Sequence, residues 1–374
     1  MTAECTFHVS SPAELIAAVP YLLGFHPAES VAIVALRGTR IVFAARYDLP
    51  AVDLPAAAGR QSAVEVATVV AGQGVTGVTV LGYGERARVT PTVLRVADAL
   101  ERAGVTVLDQ LRVADGRFWS FLCTDPECCP DAGRPCLPAD SAIAAAATYA
   151  GAVALPDRAA LCAQLEPAPG PGRREALARA EARLAELCER EPRESGFLRR
   201  VRRAGRSVIR TAERRYRSGQ RLTDDEVAWL GALLVHIPVR DFAWERTGAE
   251  QWWVDLWLDV LRRVEPVCVP GPACLLGFAA WRCGNGPLAR VAIDRALEHQ
   301  PGYEMAKLLS ELLQLGVHPQ AVAGWPAVQR FEGPIPEPPP WRIDLPRPGR
   351  AVVDERLGRS RHRSKRRRPR RRAL

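Results

Sequence analysis

Gly77-Val-Thr-Val-Leu81, then Thr90-Pro-Thr-Val-Leu-Arg-Val-Ala-Asp-Ala-Leu-Glu-Arg-Ala103, then Val105-Thr-Val-Leu-Asp-Gln-Leu-Arg-Val113 is the stretch whose reading decides the fold. An apolar run of strand length leads into a helix that Thr90-Pro91 starts and Ala103 ends, and a second strand follows. Upstream, Ser30–Leu36 and Arg40–Tyr47 are β-rich and joined by Arg37-Gly38-Thr39, which predicts a hairpin. Between hairpin and strand, residues 54–71 are helical in pattern. Ser11-Pro12-Ala13-Glu14 predicts a capping box opening a helix that Pro20 ends. Downstream, Asp115-Gly116 is a hairpin turn signal leading into Arg117–Leu122. Strands alternating with helices after an initial hairpin define an α/β domain with a mixed sheet and flanking helices, over residues 1–165.

Glu166-Pro-Ala-Pro-Gly-Pro-Gly172 breaks the pattern and serves as a linker. Residues 173–330 then read as an all-α domain, with helices over Arg173–Arg190, Phe197–Ser218, Thr223–His236 (opened by the capping box Thr223-Asp-Asp-Glu226) and Glu250–Val264. Leu276-Gly277, Ala280, Ala289, Ile293, Ala296 and Pro301 fall at the spacings of one tetratricopeptide-like helix pair; ordinary packed helices fit the same pattern. Residues 331–374 form a Pro-rich linker and an Arg-rich tail, which composition predicts to be disordered.

The tail also explains the charge. The chain of 374 residues carries +9, whereas Arg359–Leu374 alone holds ten basic residues and no acid, which leaves residues 1–358 at −1. The body is near neutral, so the basic pI belongs to the tail. The charge-free stretch Ser141–Pro156 is too short and alanine-rich to cross about 30 Å of hydrocarbon. The first residues show neither a basic n-region nor an apolar h-region, so the expected compartment is the cytoplasm. Ten cysteines in such a chain are expected as reduced thiols rather than disulfides.

Four features carry candidate chemistry. Cys123, Cys128, Cys129 and Cys136 lie in one Pro- and Gly-rich loop. Four thiolates suit zinc, but a site of this spacing needs two adjacent ligands and a sharply curled chain, so buried free thiols and a redox pair remain open beside it. His26, Ser30, Arg46 and Asp48 supply the residue types of a proton-transfer site on the hairpin; turn formation and ion pairing explain them equally. Gly72-Gln-Gly-Val-Thr-Gly77 spells a dinucleotide fingerprint but follows a helix and precedes a strand, the reverse of the order phosphate binding requires, whereas Gly82-Tyr83-Gly84 sits where open sheets bind ligands.

The fourth feature is Arg199, Arg203, Arg206, Arg210, Arg214, Arg217 and Arg221, which recur every three or four residues and so share one helical face. Such a stripe suits nucleic-acid phosphates or an anionic membrane. The competing reading neutralises it internally with Asp224, Asp225, Glu226, Asp241, Glu245, Asp255 and Asp259. Arg366, Arg367, Arg368, Arg370, Arg371 and Arg372 of the tail attract polyanions without aromatics to stack on bases, so binding there is electrostatic and salt-sensitive.

Pro20-Tyr-Leu-Leu-Gly-Phe-His-Pro-Ala-Glu-Ser30, Ala45-Arg-Tyr-Asp-Leu-Pro50 and Gly116-Arg-Phe-Trp-Ser-Phe-Leu-Cys123, followed by Cys128-Cys129-Pro130 and Gly133, resemble the actinobacterial domain of unknown function family 4192. The likeness extends more loosely through Val239-Arg240-Asp241 and the helices from Ala280 to Pro301. It implies a bacterial cytoplasmic setting and no mechanism; Cys136 and the tail stand outside its pattern. The leading expectation is therefore a non-catalytic protein that associates with RNA or DNA through the tail and the Arg199–Arg221 face. The alternatives are an enzyme with its site in the α/β domain and a helical scaffold for a protein partner.

Overall fold

A computed structural model describes residues 9–51, 56–168, 170, 172–190 and 194–322. The chain begins with α1 (Pro12–Leu23), β1 (Ser30–Arg37), β2 (Arg40–Asp48), α2 (Ala56–Gly72), β3 (Gly77–Tyr83), α3 (Arg86–Arg102), β4 (Val107–Ala114), β5 (Arg117–Ser120), β6 (Arg134–Pro135), α4 (Ala142–Tyr149) and α5 (Arg158–Ala163). It continues as α6 (Arg173–Glu189), α7 (Glu194–Arg217), α8 (Asp224–Leu234), α9 (Ile237–Arg246), α10 (Gln251–Arg263), α11 (Pro270–Arg282), α12 (Gly286–His299) and α13 (Glu304–Gln314). The expected class, a mixed sheet with helices followed by a helical region, is the one found.

The six strands lie in the order β2-β1-β3-β4-β5-β6. β3 and β4 are parallel, joined by α3 as the crossover, and the other neighbours are antiparallel. β1 and β3 are central and mostly apolar, β1 buried from Ser30 to Ala35 and β3 along its whole length, because both faces of the sheet are covered there. On one face Val31, Ile33, Val78 and Val80 pack against Val66 and Val70 of α2 and Val89, Val93 and Leu100 of α3. Each such side chain contributes roughly 1.5–3 kcal/mol on burial. α1 packs on α4 and on β2. The Asp115-Gly116 turn has φ of 51° and 70°, both left-handed, as the twist of a tight hairpin demands.

Several boundaries differ from expectation for identifiable reasons. α1 runs through Pro20 to Leu23, with Gly24 as its left-handed cap, since the single hydrogen bond that proline removes is offset by burial of Val19, Pro20 and Leu23. Ser11 Oγ accepts the Glu14 N–H as a cap, but the Glu14 carboxylate accepts from the N–H and Oγ of Ser10. α3 starts at Arg86, one turn before Thr90-Pro91. The helix expected to reach His236 stops at Leu234, and α9 follows at a bend of 110° with Pro238 in its first turn.

Two compact units divide the chain: Met1–Glu166 together with Gly277–Ala321, and a second built on Pro167–Leu276. The helices after Gly277 thus group with the sheet and not with the helices that precede them. Within this first unit Arg158 pairs with Asp294 of α12 at 3.2 Å and Arg295 with Glu166 at 3.8 Å. Ala280, Ala289, Ile293 and Ala296 are buried, as packed helices require, and nothing further marks the pair as tetratricopeptide-like. The second unit contains α6 to α10 and no strand among its described residues. The Pro-rich linker and basic tail lie outside the described residues. Among the described residues no single helix is long and apolar enough to cross a membrane.

Candidate functional site

The four residues on the hairpin do not converge. Ser30 pairs in register with both Asp48 and Tyr83, yet its Oγ is buried and has no hydrogen-bond partner among the described residues. His26 is exposed and its backbone N–H donates to Leu155 O, fixing the turn. Arg46 pairs with Asp48 at 2.7 Å and donates to Ala28 O at 3.3 Å. His26 lines one cleft, whereas Arg46 and Asp48 line another of about 470 Å³ with Arg158, Arg290 and Asp294. The proton-transfer constellation expected of His26, Ser30, Arg46 and Asp48 is therefore not assembled.

The cleft at His26 measures about 570 Å³ and lies at the carboxyl ends of β3 and β4, where Gly82-Tyr83-Gly84 hands the chain to α3. Tyr83, Arg112, Glu29, Glu85, Asp115 and Cys136 are in its wall. Tyr83 Oη is buried without a partner among the described residues, and burial, with Cys136 nearby, raises its pKa. Arg112 lies over the Trp119 ring at 3.6 Å; desolvation, then Arg86, lowers its pKa. The N-terminus of α3, at Glu85, has no side-chain cap. The sequence marks His26, Gly82-Tyr83-Gly84, Asp115 and Cys136 separately, and nothing in it signals that they share one cleft.

The cysteine loop is built on β5. Ser120 Oγ donates to Asp109 Oδ1 at 2.7 Å and accepts the Leu122 and Cys123 N–H groups, both at 3.2 Å. Cys129 N–H donates to Asp125 O at 2.7 Å, closing a turn, and Trp119 Nε1 donates to Asp131 O at 3.0 Å. Gly133, at φ 74°, has no room for a side chain, since a Cβ would lie 2.4 Å from the Trp119 ring. These bonds bring the sulfur atoms of Cys123, Cys128 and Cys129 within 4.8 Å of one another. The Asp125 N–H lowers the Cys123 pKa, while burial, with the Cys123 hydrogen bond, pushes Cys129 up to about 11. Cys136 is not in the cluster: its N–H donates to Gly116 O, and its side chain lines the His26 cleft. The expected set of four is a set of three.

In the second unit the arginine face is real and solvent-exposed. Val201, Ile209, Ala212 and Tyr216 of α7 are buried, while Arg199, Arg203, Arg206, Arg210, Arg214 and Arg217 are exposed, over a rise of about 27 Å. Arg221 lies beyond the helix end, past Gly219, and pairs with Asp259 at 3.8 Å. The acids expected to neutralise the face mostly serve other arginines. Asp224 pairs with Arg263 at 2.9 Å, Asp225 with Arg179 at 2.6 Å, Asp241 with Arg240 at 2.6 Å, and Glu226 with Arg215. Asp259 is held by Arg263 and Tyr216, and Asp255 accepts from Gln251 at 3.2 Å. Glu245 acts on Arg206 at longer range only; its own carboxyl is raised by desolvation first, then by Asp241. The six helical arginines make no ion pair among the described residues. Arg206 and Arg210 lie over Phe242 at 5.3 and 5.9 Å, and Arg217 over Trp252 at 5.1 Å. The tail arginines Arg366 to Arg372 lie outside the described residues.

A mixed α/β sheet unit, a helical unit presenting an exposed arginine face, and a three-thiol loop between β5 and β6 define the class of protein. A family model described as Domain of unknown function (DUF4192) matches residues 12–320, and the chain belongs to that family. No curated protein and no solved structure matches the chain.

Proposed function

We propose that this is a nucleic-acid-associated binding protein whose second unit holds phosphates with the exposed face of α7. The observation that carries the reading is the charge imbalance on that helix: six exposed arginines without ion pairs among the described residues, while the neighbouring acids are taken by Arg179, Arg215, Arg240 and Arg263. One positive charge every ~5.4 Å along a rigid rod is a favourable partner for a polyphosphate chain. Phe242 and Trp252 hold three of these guanidinium groups by their faces, which limits side-chain motion without removing charge. Such binding reads backbone rather than sequence. The basic tail adds a second source of the same attraction.

The test is titration of the full chain with mixed RNA and duplex DNA at low and physiological salt, beside a variant with Arg203, Arg206, Arg210 and Arg214 changed to Gln and a chain ending at Gly358. Affinity is expected to fall with salt, and the four substitutions to flatten the log–log slope by about 3 to 4 on duplex DNA. If the substitutions leave the slope unchanged and truncation at Gly358 abolishes binding, the tail alone is responsible and the α7 reading fails.

A second reading is favoured by Tyr83, which lines the His26 cleft beside Arg112 and the uncapped start of α3 and whose buried hydroxyl has no partner among the described residues. A small polar ligand held there is the form in which an enzymatic role survives. It is tested by thermal-shift screening of nucleotides and small phosphate esters against the full chain and Tyr83→Phe.

A further inference from the structure

We infer that Cys123, Cys128 and Cys129 form a three-thiolate site for a d¹⁰ divalent cation, Zn²⁺ in particular, with the fourth position open to water or an incoming ligand. The argument starts from the backbone. Adjacent cysteines are poor ligand pairs in extended chain, because successive side chains point to opposite faces. Here Pro126–Cys128 is a turn closed by Cys129 N–H to Asp125 O, and it brings the two neighbouring sulfurs to Cys123. The sharp curl that the spacing demands is present, and it is held by protein hydrogen bonds alone.

Preorganisation extends along the loop. Ser120 fixes the Cys123 end and is itself fixed by Asp109. On the far side Arg117 donates to Gly133 O at 2.8 Å and Trp119 to Asp131 O, with Gly133 seated on the Trp119 ring. The chain therefore loses little further entropy on taking up an ion. Sulfurs within 4.8 Å need to close by no more than about 1 Å for tetrahedral zinc at about 2.3 Å from each.

Charge and ligand type choose the cation. Three thiolates are soft donors that select zinc over magnesium or calcium. Three thiolates around a divalent ion leave one negative charge, and Arg134 Nη1 stands 3.8 Å from Cys128 Sγ and 3.5 Å from Cys128 O to offset it. Cys136 lies outside the cluster, so the described residues supply three sulfurs and leave the fourth coordination position free, as in sites that exchange a ligand.

The experiment uses the full chain, reduced and stripped with chelator, then titrated with Zn²⁺ against a chromophoric chelator and with Co²⁺ as a spectroscopic probe. One equivalent is expected to bind, with sulfur-to-cobalt charge-transfer absorption of the intensity given by three thiolates. Cys123→Ser and Cys129→Ser should each weaken zinc by more than the roughly 10- to 100-fold cost of an outer-shell loss, and Arg134→Gln by about that much. Cys136→Ser should change neither affinity nor spectrum. Circular dichroism of each variant separates a lost ligand from a lost fold, and Arg134→Gln reports on the site with all three sulfurs in place. Absence of stoichiometric binding by the wild-type chain, a four-thiolate spectrum, or a loss in Cys136→Ser equal to that in Cys123→Ser overturns the assignment.

Discussion

Gly205 of α7 lies directly beneath Val239 of α9, so close that a Cβ on Gly205 would stand 2.4 Å from Val239 Cγ1. Helix propensity alone favours alanine over glycine by about 1 kcal/mol at such a position. Steric overlap acts the other way, because neither Gly205 nor Val239 is exposed and α9 must shift to make room. Gly205→Ala is expected to destabilise the protein by about 1–2 kcal/mol net, measured by urea denaturation. A stabilised variant would show that the two helices are not in contact.

Glu213 is buried on α7 and takes two hydrogen bonds from Arg246 of α9, one of 2.7 Å from Nη2. That pairing raises the Arg246 pKa, with the Glu213 hydrogen bond as the largest cause. Glu213→Ala should cost about 2 kcal/mol, below the range for a fully buried pair because Arg246 retains access to water. A change under about 0.5 kcal/mol in chemical denaturation would remove the pair from the scaffold.

His236, at the start of α9, has its pKa lowered from 6.5 to about 4 by burial and then by Arg202, with Asp241 acting the other way. The unfolded chain therefore binds the proton more readily than the folded one between those values. Stability from this group is complete above pH 6.5 and is lost as the pH falls through about 4. A loss of the order of 2 kcal/mol is expected across that window after solvent screening, and His236→Gln should flatten it. Identical pH profiles for the two chains would contradict the assignment.

Ser30 Oγ is buried against the sheet and has no partner among the described residues. Replacing an unpartnered hydroxyl by a methyl removes a desolvated polar atom at no cost in hydrogen bonds. Ser30→Ala is expected to leave the melting temperature unchanged or to raise it. A drop would mean that the hydroxyl is bonded in solution.

What the sequence disclosed was local. Apolar runs such as Gly77–Leu81 and the Asp115-Gly116 turn have signatures contained in a few residues, and both lie where they were expected. α4 and α5 escaped because one is an alanine-rich helix of eight residues and the other has only six, too short for a periodicity to register. The covering of faces escaped for a different reason: an apolar stripe on α12 tells that something packs there, and not that the first unit supplies it. Pairing is equally non-local. The second unit's carboxylates were visible as a pool, yet their choice of Arg179, Arg215 and Arg263 over the α7 stripe depends on helix crossings. Cys136 is only seven positions from Cys129, and β6 intervenes to send it to another wall.

The division of the chain inside α11, between Leu276 and Gly277, sets an order of events at the ribosome. When Glu166 has emerged, the sheet is complete in strands but lacks the helices from Gly277 to Ala321 that belong to its unit. The 110 residues of Pro167–Leu276 must be made first. At roughly 5–20 residues per second that is a wait of about 5 to 20 s, during which the nascent sheet is a client for any factor that shields apolar surface. The helical unit, all of whose described elements arise from one continuous stretch, has no such wait, so the later-made half of this protein is free to finish folding before the earlier one.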